Sequence, residues 1–292
     1  MSSTGTSAPG NARERVGALL VELGVTQPLL AVSDLAARLG VVQGVLADRI
    51  LDLAVTESGR LRLRAELRGR AWAEERGIGV PEVLAAADDG RWLLSHRVRP
   101  GPSGGPRWTE EAIEAAVRIA PSPAPPGRLW RAPEGAGLRR VRASVQDAGR
   151  LVRGGVPLGE LRAVRSAARQ LPLAEVAHGD LRAANAVLDE ELGGLVVLEW
   201  CGVEAGPRHV DLLTLWATTA GEEDRERIAD AVLERTAAWE GPDVGTLWHA
   251  VALERLVARL TRPDRGDGLD AAFARARLAE ARARARELGS PL

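Results

Sequence analysis

Hydrophobic and polar positions along the chain divide it into a mixed first third and a mainly helical remainder. Residues 12–53 alternate apolar stretches with turn signals, and residues 61–63 open an arginine-rich segment leading into a helical pattern over 65–76 that stops at Gly77. Apolar runs at 80–84 and 91–98, joined across Asp88-Asp89-Gly90, predict two short strands. Segments rich in Pro and Gly, 100–107 and 121–133, bracket an amphipathic helix over 109–119 that opens Thr109-Glu110-Glu111. From Leu138 onward the spacing predicts helices over 138–153, 158–170, 222–239, 244–260 and 269–288, the last one rich in Arg and Ala and read as solvated. The exception is 176–203, where Ala186-Val187-Leu188 and Leu195-Val196-Val197-Leu198 flank Gly193-Gly194 as the strands of a β-hairpin do. The expected organisation is a disordered tail over 1–11, a small lobe over 12–99 and a helical lobe over 100–292, with no internal repeat.

Residues 33–53 carry a second pattern. Ser33-Asp34 caps a helix, Gly40 makes a turn, and Val41, Val45, Leu46, Ile50 and Leu53 follow the spacing of a second helix, as in a helix-turn-helix; residues 55–63 would then be a winged hairpin. DNA binding is the function this pattern would serve, but its second helix offers only Arg49 as a base.

Composition narrows the picture. Thirty-nine basic against 40 acidic side chains leave a formal charge of −1, with no long basic block, so nucleic acid held by counterion release is not an expected partner. All 39 bases are arginine: the chain has no lysine, hence no lysine Schiff base and no lysine to grip nucleotide phosphates. The single cysteine, Cys201, excludes an internal disulfide and a cysteine zinc site, which fits a reducing compartment, with the cytoplasm as default. No apolar run approaches the ~20 residues of a membrane span, so no membrane association is expected.

The chemistry concentrates in His178-Gly179-Asp180-Leu181-Arg182-Ala183-Ala184-Asn185, the hairpin, Leu198-Glu199-Trp200, and Gly206-Pro207 through His209-Val210-Asp211-Leu212. An aspartate at the head of a loop can accept a substrate hydroxyl's proton, and an asparagine five residues on can offer an amide oxygen to a metal. A second acid beyond the hairpin, Glu199, completes a hard-oxygen set of the kind Mg²⁺ prefers. Asp211, opening a helix, reads as the structural acid that pins the loop.

This pattern resembles the catalytic core of the aminoglycoside phosphotransferase and choline kinase family, from about Ala65 to the C-terminus. The resemblance implies an α+β, bilobal protein-kinase-like fold, with a small antiparallel-sheet lobe and a larger helical lobe. It implies transfer of the γ-phosphoryl of ATP or GTP to a hydroxyl of a small-molecule acceptor. By the same resemblance Asp180 is the catalytic base, Asn185 and Glu199 hold Mg²⁺, Glu66 is the helix carboxylate that positions the nucleotide lysine, and His96, Arg97 and Val98 form the adenine hinge. Two departures stand out. The family has Asp where Glu199 stands, and its lysine position falls near Asp52; Arg60, Arg62 or Arg64 is then the candidate substitute. Glu190, Glu191 and Glu204 are candidates for an acidic groove that would take a cationic acceptor. The rival reading is a catalytically silent kinase-like module that binds a peptide or protein partner.

Overall fold

A computed structural model describes residues 10–35, 39–101, 103–120, 149, 152–172, 175–236, 243–261 and 270–290. The chain forms two units: one runs to Arg99 and includes Leu198–Cys201, and the other comprises Pro100–Val197 and Gly202–Leu292. The expected tail 1–11 falls largely outside the described residues, as do 121–133 and most of the helix expected at 138–153.

The first unit opens with α1 (Gly10–Glu22), so Gly10 and Asn11 are helical and not tail. A five-stranded antiparallel sheet follows, β1 (Ala31–Leu35), β2 (Val41–Val45), β3 (Arg49–Ala54), β4 (Val83–Ala86) and β5 (Trp92–His96), in the order β1-β2-β3-β5-β4. Period-2 alternation divides the sheet between two helices. Val42, Leu51 and Leu94 join Val16, Leu19 and Leu20 of α1 in one core, whereas Val41 and Leu93 pack with Leu63 of α2 (Glu57–Glu74). Each fully buried Leu contributes about 1.5–3 kcal/mol.

The helix-turn-helix reading of 33–53 is overturned among the described residues: strands run over 31–35, 41–45 and 49–54. The β-branched pair Val41-Val42 suits a strand, and pairing on both sides of β2 outweighs the helical spacing of Val45, Leu46 and Ile50. The winged hairpin at 55–63 fails too, because α2 begins at Glu57, eight residues before the expected 65. Its N-cap Thr56 accepts the Gly59 N–H at 3.1 Å. The Arg-Leu alternation over 60–64 looks strand-like by eye, yet Leu63 is the position that turns inward.

In the second unit α3 (Pro106–Ile119) starts with proline in its first turn and buries Trp108, Ala112, Ala115 and Ile119. The hairpin of β7 (Ala186–Leu188) and β8 (Leu195–Val197) leans on this helix: Trp108 Nε1 donates to Ala186 O at 2.7 Å, and Glu111 Oε2 accepts the Leu195 N–H at 2.7 Å. Strands β6 (Glu175–Ala177) and β9 (Glu204–Gly206) form a second, short ladder. Helices α4 (Leu158–Ala168), α5 (Val210–Thr218), α6 (Glu222–Thr236), α7 (Asp243–Thr261) and α8 (Ala271–Glu287) make up the rest. The α8 helix is not solvated on all sides. Ala274, Leu278, Ala281 and Ala285 form a buried stripe that lets it approach its neighbour closely. The architecture is α+β: an antiparallel sheet unit followed by a mainly helical one.

Candidate active site

The loop between β6 and β7 is gripped at both ends of α5. At the first turn of that helix, Asp211 accepts the backbone N–H of His178 at 2.7 Å and of Gly179 at 3.2 Å. At its last residue, Thr218 Oγ1 accepts the Ala183 N–H at 3.0 Å while donating to Thr214 O at 2.8 Å. Burial pushes the Asp211 carboxyl above its ordinary value, against the opposing pull of His178 and the two N–H donors. The fully buried His178 ring accepts the Asp180 N–H on Nδ1 at 3.3 Å.

Within this frame Asp180 and Asn185 come together. Asn185 closes a tight turn over Ala183–Asn185 and donates its amide to Asp180 O at 2.9 Å, so its side-chain oxygen is the atom left to meet a cation. The Asp180 carboxylate lies between two guanidiniums: Oδ1 accepts from Arg255 Nη1 at 2.9 Å, and Oδ2 lies 3.2 Å from Arg182 Nε. Burial works against the charge on Arg255, but Asp180, Glu254 and Asp211 outweigh it and hold the guanidinium above its ordinary value.

Glu66 and Glu199 belong to the other unit. Glu66, buried on α2, accepts Arg70 Nε on Oε1 at 2.8 Å and the Cys201 N–H on Oε2 at 2.9 Å. Burial raises its carboxyl, but Arg70 and then Arg62 overcome this and hold it below the ordinary value. Glu199 has φ +66°, a left-handed conformation that costs a non-glycine residue about 1–2 kcal/mol, and its Oε2 is paired with Arg62. Gly69 permits this arrangement: a Cβ there would sit 2.5 Å from Trp200 O.

Asp52 occupies β3 opposite Gln43, on the sheet face that α2 covers, and accepts Gln43 Nε2 at 3.0 Å. Burial, aided by Glu66 and Glu199, pushes its carboxyl up to about 6 against the opposing effects of Gln43 and Arg70. None of Arg60, Arg62 and Arg64, the candidate substitutes for the lysine, is the arginine bonded to Glu66. Arg62 bonds Glu199 and acts on Glu66 only through its charge, while the bond to Glu66 comes from Arg70, one helical turn further on. At the expected hinge, the N–H of His96 donates to Glu82 O at 2.9 Å and that of Arg97 to Asp48 O at 2.7 Å, so both amides serve the sheet unit. Val98 follows the end of β5.

Sequence reasoning missed Arg255, Arg182 and Thr218. Arg182 stood in the quoted motif without a role. Arg255 left a readable signal, because it interrupts the apolar face of α7 four residues after Val251, where a charge must find a partner.

Residues 40–253 match the model of the phosphotransferase enzyme family, known by the label APH, and the chain belongs to that family. Solved structures of the same fold include a GDP complex of aminoglycoside 2'-phosphotransferase-IIIa, 12% identical, TM-score 0.57, covering 94% of this chain and 99% of that one. A choline/ethanolamine kinase family protein from Mesorhizobium loti is 18% identical, TM-score 0.53, over 96% of this chain and 94% of that one. A macrolide 2'-phosphotransferase from Brachybacterium faecium is 15% identical, TM-score 0.54, over 91% and 97%. These likenesses define the protein-kinase-like fold. No curated protein matches the chain, and no helix among the described residues is long and apolar enough to cross a membrane.

Proposed function

We propose that the protein transfers the γ-phosphoryl group of ATP or GTP to a hydroxyl of a small molecule. The observation that carries this reading is the loop geometry: Asp211, His178 and Thr218 lock a backbone path that presents the Asp180 carboxylate beside the Asn185 amide. In the step, the acceptor oxygen bonds to the γ-phosphorus, the bond from that phosphorus to the β,γ-bridging oxygen breaks, the hydroxyl proton passes to Asp180, and the nucleoside diphosphate leaves. Arg255 and Arg182 orient the base by holding one carboxylate oxygen each.

The donor chemistry suits Mg²⁺, which takes one or two protein carboxylates or amide oxygens and completes its shell with phosphate and water. Asn185, through the side-chain oxygen left by its contact with Asp180 O, would hold it, and Glu199 is the second ligand that the family resemblance implies. Bound there, the ion would neutralise phosphate charge. Arg62 is the proposed substitute for the lysine, and His96 to Val98 remain the proposed hinge, through backbone groups other than the two amides already used. The expected site of action is the cytoplasm.

Asp180→Asn preserves shape but cannot take the proton, so turnover of an accepted hydroxyl compound is expected to fall by ~10²–10⁴-fold with the fold unchanged by circular dichroism. Unchanged turnover would remove Asp180 from the mechanism. The silent-module reading also has an observation in its favour: the chain has no lysine to grip nucleotide phosphates.

A further inference from the structure

Away from the catalytic loop, the helical unit buries an imidazole where three helices meet. His249 of α7 is 2% exposed, and its Nε2 lies 2.7 Å from Glu160 Oε1 on α4. An ionised carboxylate only accepts, so Nε2 carries the proton and Nδ1 is the bare lone pair of a neutral ring. That Nδ1 is buried and meets no hydrogen-bond partner. Arg282 of α8 completes the cluster, with Nε 2.7 Å from Glu160 Oε1 and Nη2 2.6 Å from Oε2.

Such a site tolerates a neutral ring and resists a charged one. A second proton would go to Nδ1 and create a buried N–H donor without an acceptor. Glu160 gives little relief, because its charge is already matched by the two bonds from Arg282, whose own cation opposes an imidazolium. Burial and Arg282 accordingly outweigh Glu160 and hold the ring below its ordinary value of 6.5. Glu160 stays ionised in mild acid: burial raises its carboxyl, but Arg282 and then His249 hold it below the ordinary value. Among the described residues, Glu160 from α4 and Arg282 from α8 are the charged groups that act on His249, and α5, which also packs against α7, contributes none.

We propose that Glu160, His249 and Arg282 form an acid-released latch, which holds α4 and α8 against α7 while His249 is neutral and lets them part when it takes a proton. Among the described residues, Glu160 makes the side-chain hydrogen bond by which α4 reaches α7. The α8 side has a further tie, Thr246 Oγ1 to Ser290 Oγ at 3.3 Å, so the opening is centred on α4. Further along, α7 also carries Arg255, which meets Asp180 at 2.9 Å, so the latch bears on the helix that orients the proposed base. The sign follows from the depressed ring: below 6.5 the folded state binds fewer protons than the unfolded one, so the contribution of His249 to stability is full above that pH and is lost as pH falls.

Hydrogen exchange of the intact chain, measured by mass spectrometry at pH 7.5 and about pH 5 and corrected for intrinsic rates, tests the latch. Peptides of α4, and of α7 and α8 around His249 and Arg282, are expected to lose protection at the lower pH, while β2 and β3 keep theirs. His249→Gln retains a donor for Glu160 and does not titrate, so it is expected to abolish the loss. Arg282→Gln, at a side chain 35% exposed, removes the opposing charge and is expected to diminish the loss. The latch is overturned if α4 keeps its protection or loses no more than β2 and β3, or if folded His249→Gln loses as much as wild type. Should that variant not fold, an undiminished loss in Arg282→Gln overturns it. Exchange needs neither nucleotide nor acceptor, so this result stands apart from the fate of the phosphotransferase reading.

Discussion

Asp52 and Gln43 face one another across β2 and β3, and the carboxyl of Asp52 titrates at about 6, compared with about 3.9 in an unfolded chain. Between those values the folded state binds more protons than the unfolded state. The stability contributed by this group is therefore complete below pH ~4 and is lost as pH rises through about 6, by at most about 3 kcal/mol. Asp52→Asn keeps an acceptor for Gln43 without the charge. Its urea midpoint is expected to match wild type at pH 4 and to exceed it at pH 7.5; a gap that does not widen with pH would mean that Asp52 is solvated. The identity of this residue was legible in the sequence, since spacing back from Glu66 reached it. Its pairing was not, because the partner Gln43 lies on a strand that the helical spacing of 41–53 concealed.

At the level of elements, α2 is held by the close approach of the Leu198–Cys201 segment at Gly69. In a solvent-exposed helix, Gly→Ala gains about 1 kcal/mol of propensity. Here the added Cβ would stand 2.5 Å from a backbone oxygen and 2.8 Å from the Trp200 Cβ, neither of which can swing aside, and overpacking of this kind costs about 1–3 kcal/mol. Gly69→Ala is accordingly expected to lower the melting temperature, and a rise would refute this packing. The hairpin, the helices from 158 onward and the strands at 83–86 and 92–96 could be read from period and turn residues, because their local preferences agree with their burial. The start of α2 could not, since Arg-Leu alternation mimics a strand. Nor could the β6–β9 ladder, whose three-residue strands carry too little pattern to register. The contact of Arg255 with Asp180 spans 75 residues, a distance at which no local signal names the partner.

For the whole molecule, the question is whether a member of a kinase family with no lysine binds nucleotide. A ligand at 100 times its dissociation constant stabilises the folded state by about 2.7 kcal/mol. Melting with Mg²⁺ and ATP or GTP is expected to show such a shift, and Arg62→Met to diminish it. Absence of any shift at millimolar nucleotide would favour the silent module. The absence of lysine also affects how the protein can be detected. Acyl-phosphate nucleotide probes mark kinases by transferring their acyl group to an amine beside the phosphates. With no lysine amine anywhere in the chain, the protein would escape such labelling even when saturated with nucleotide. An unlabelled band in a chemoproteomic survey would therefore report a sequence without lysine and not an empty site.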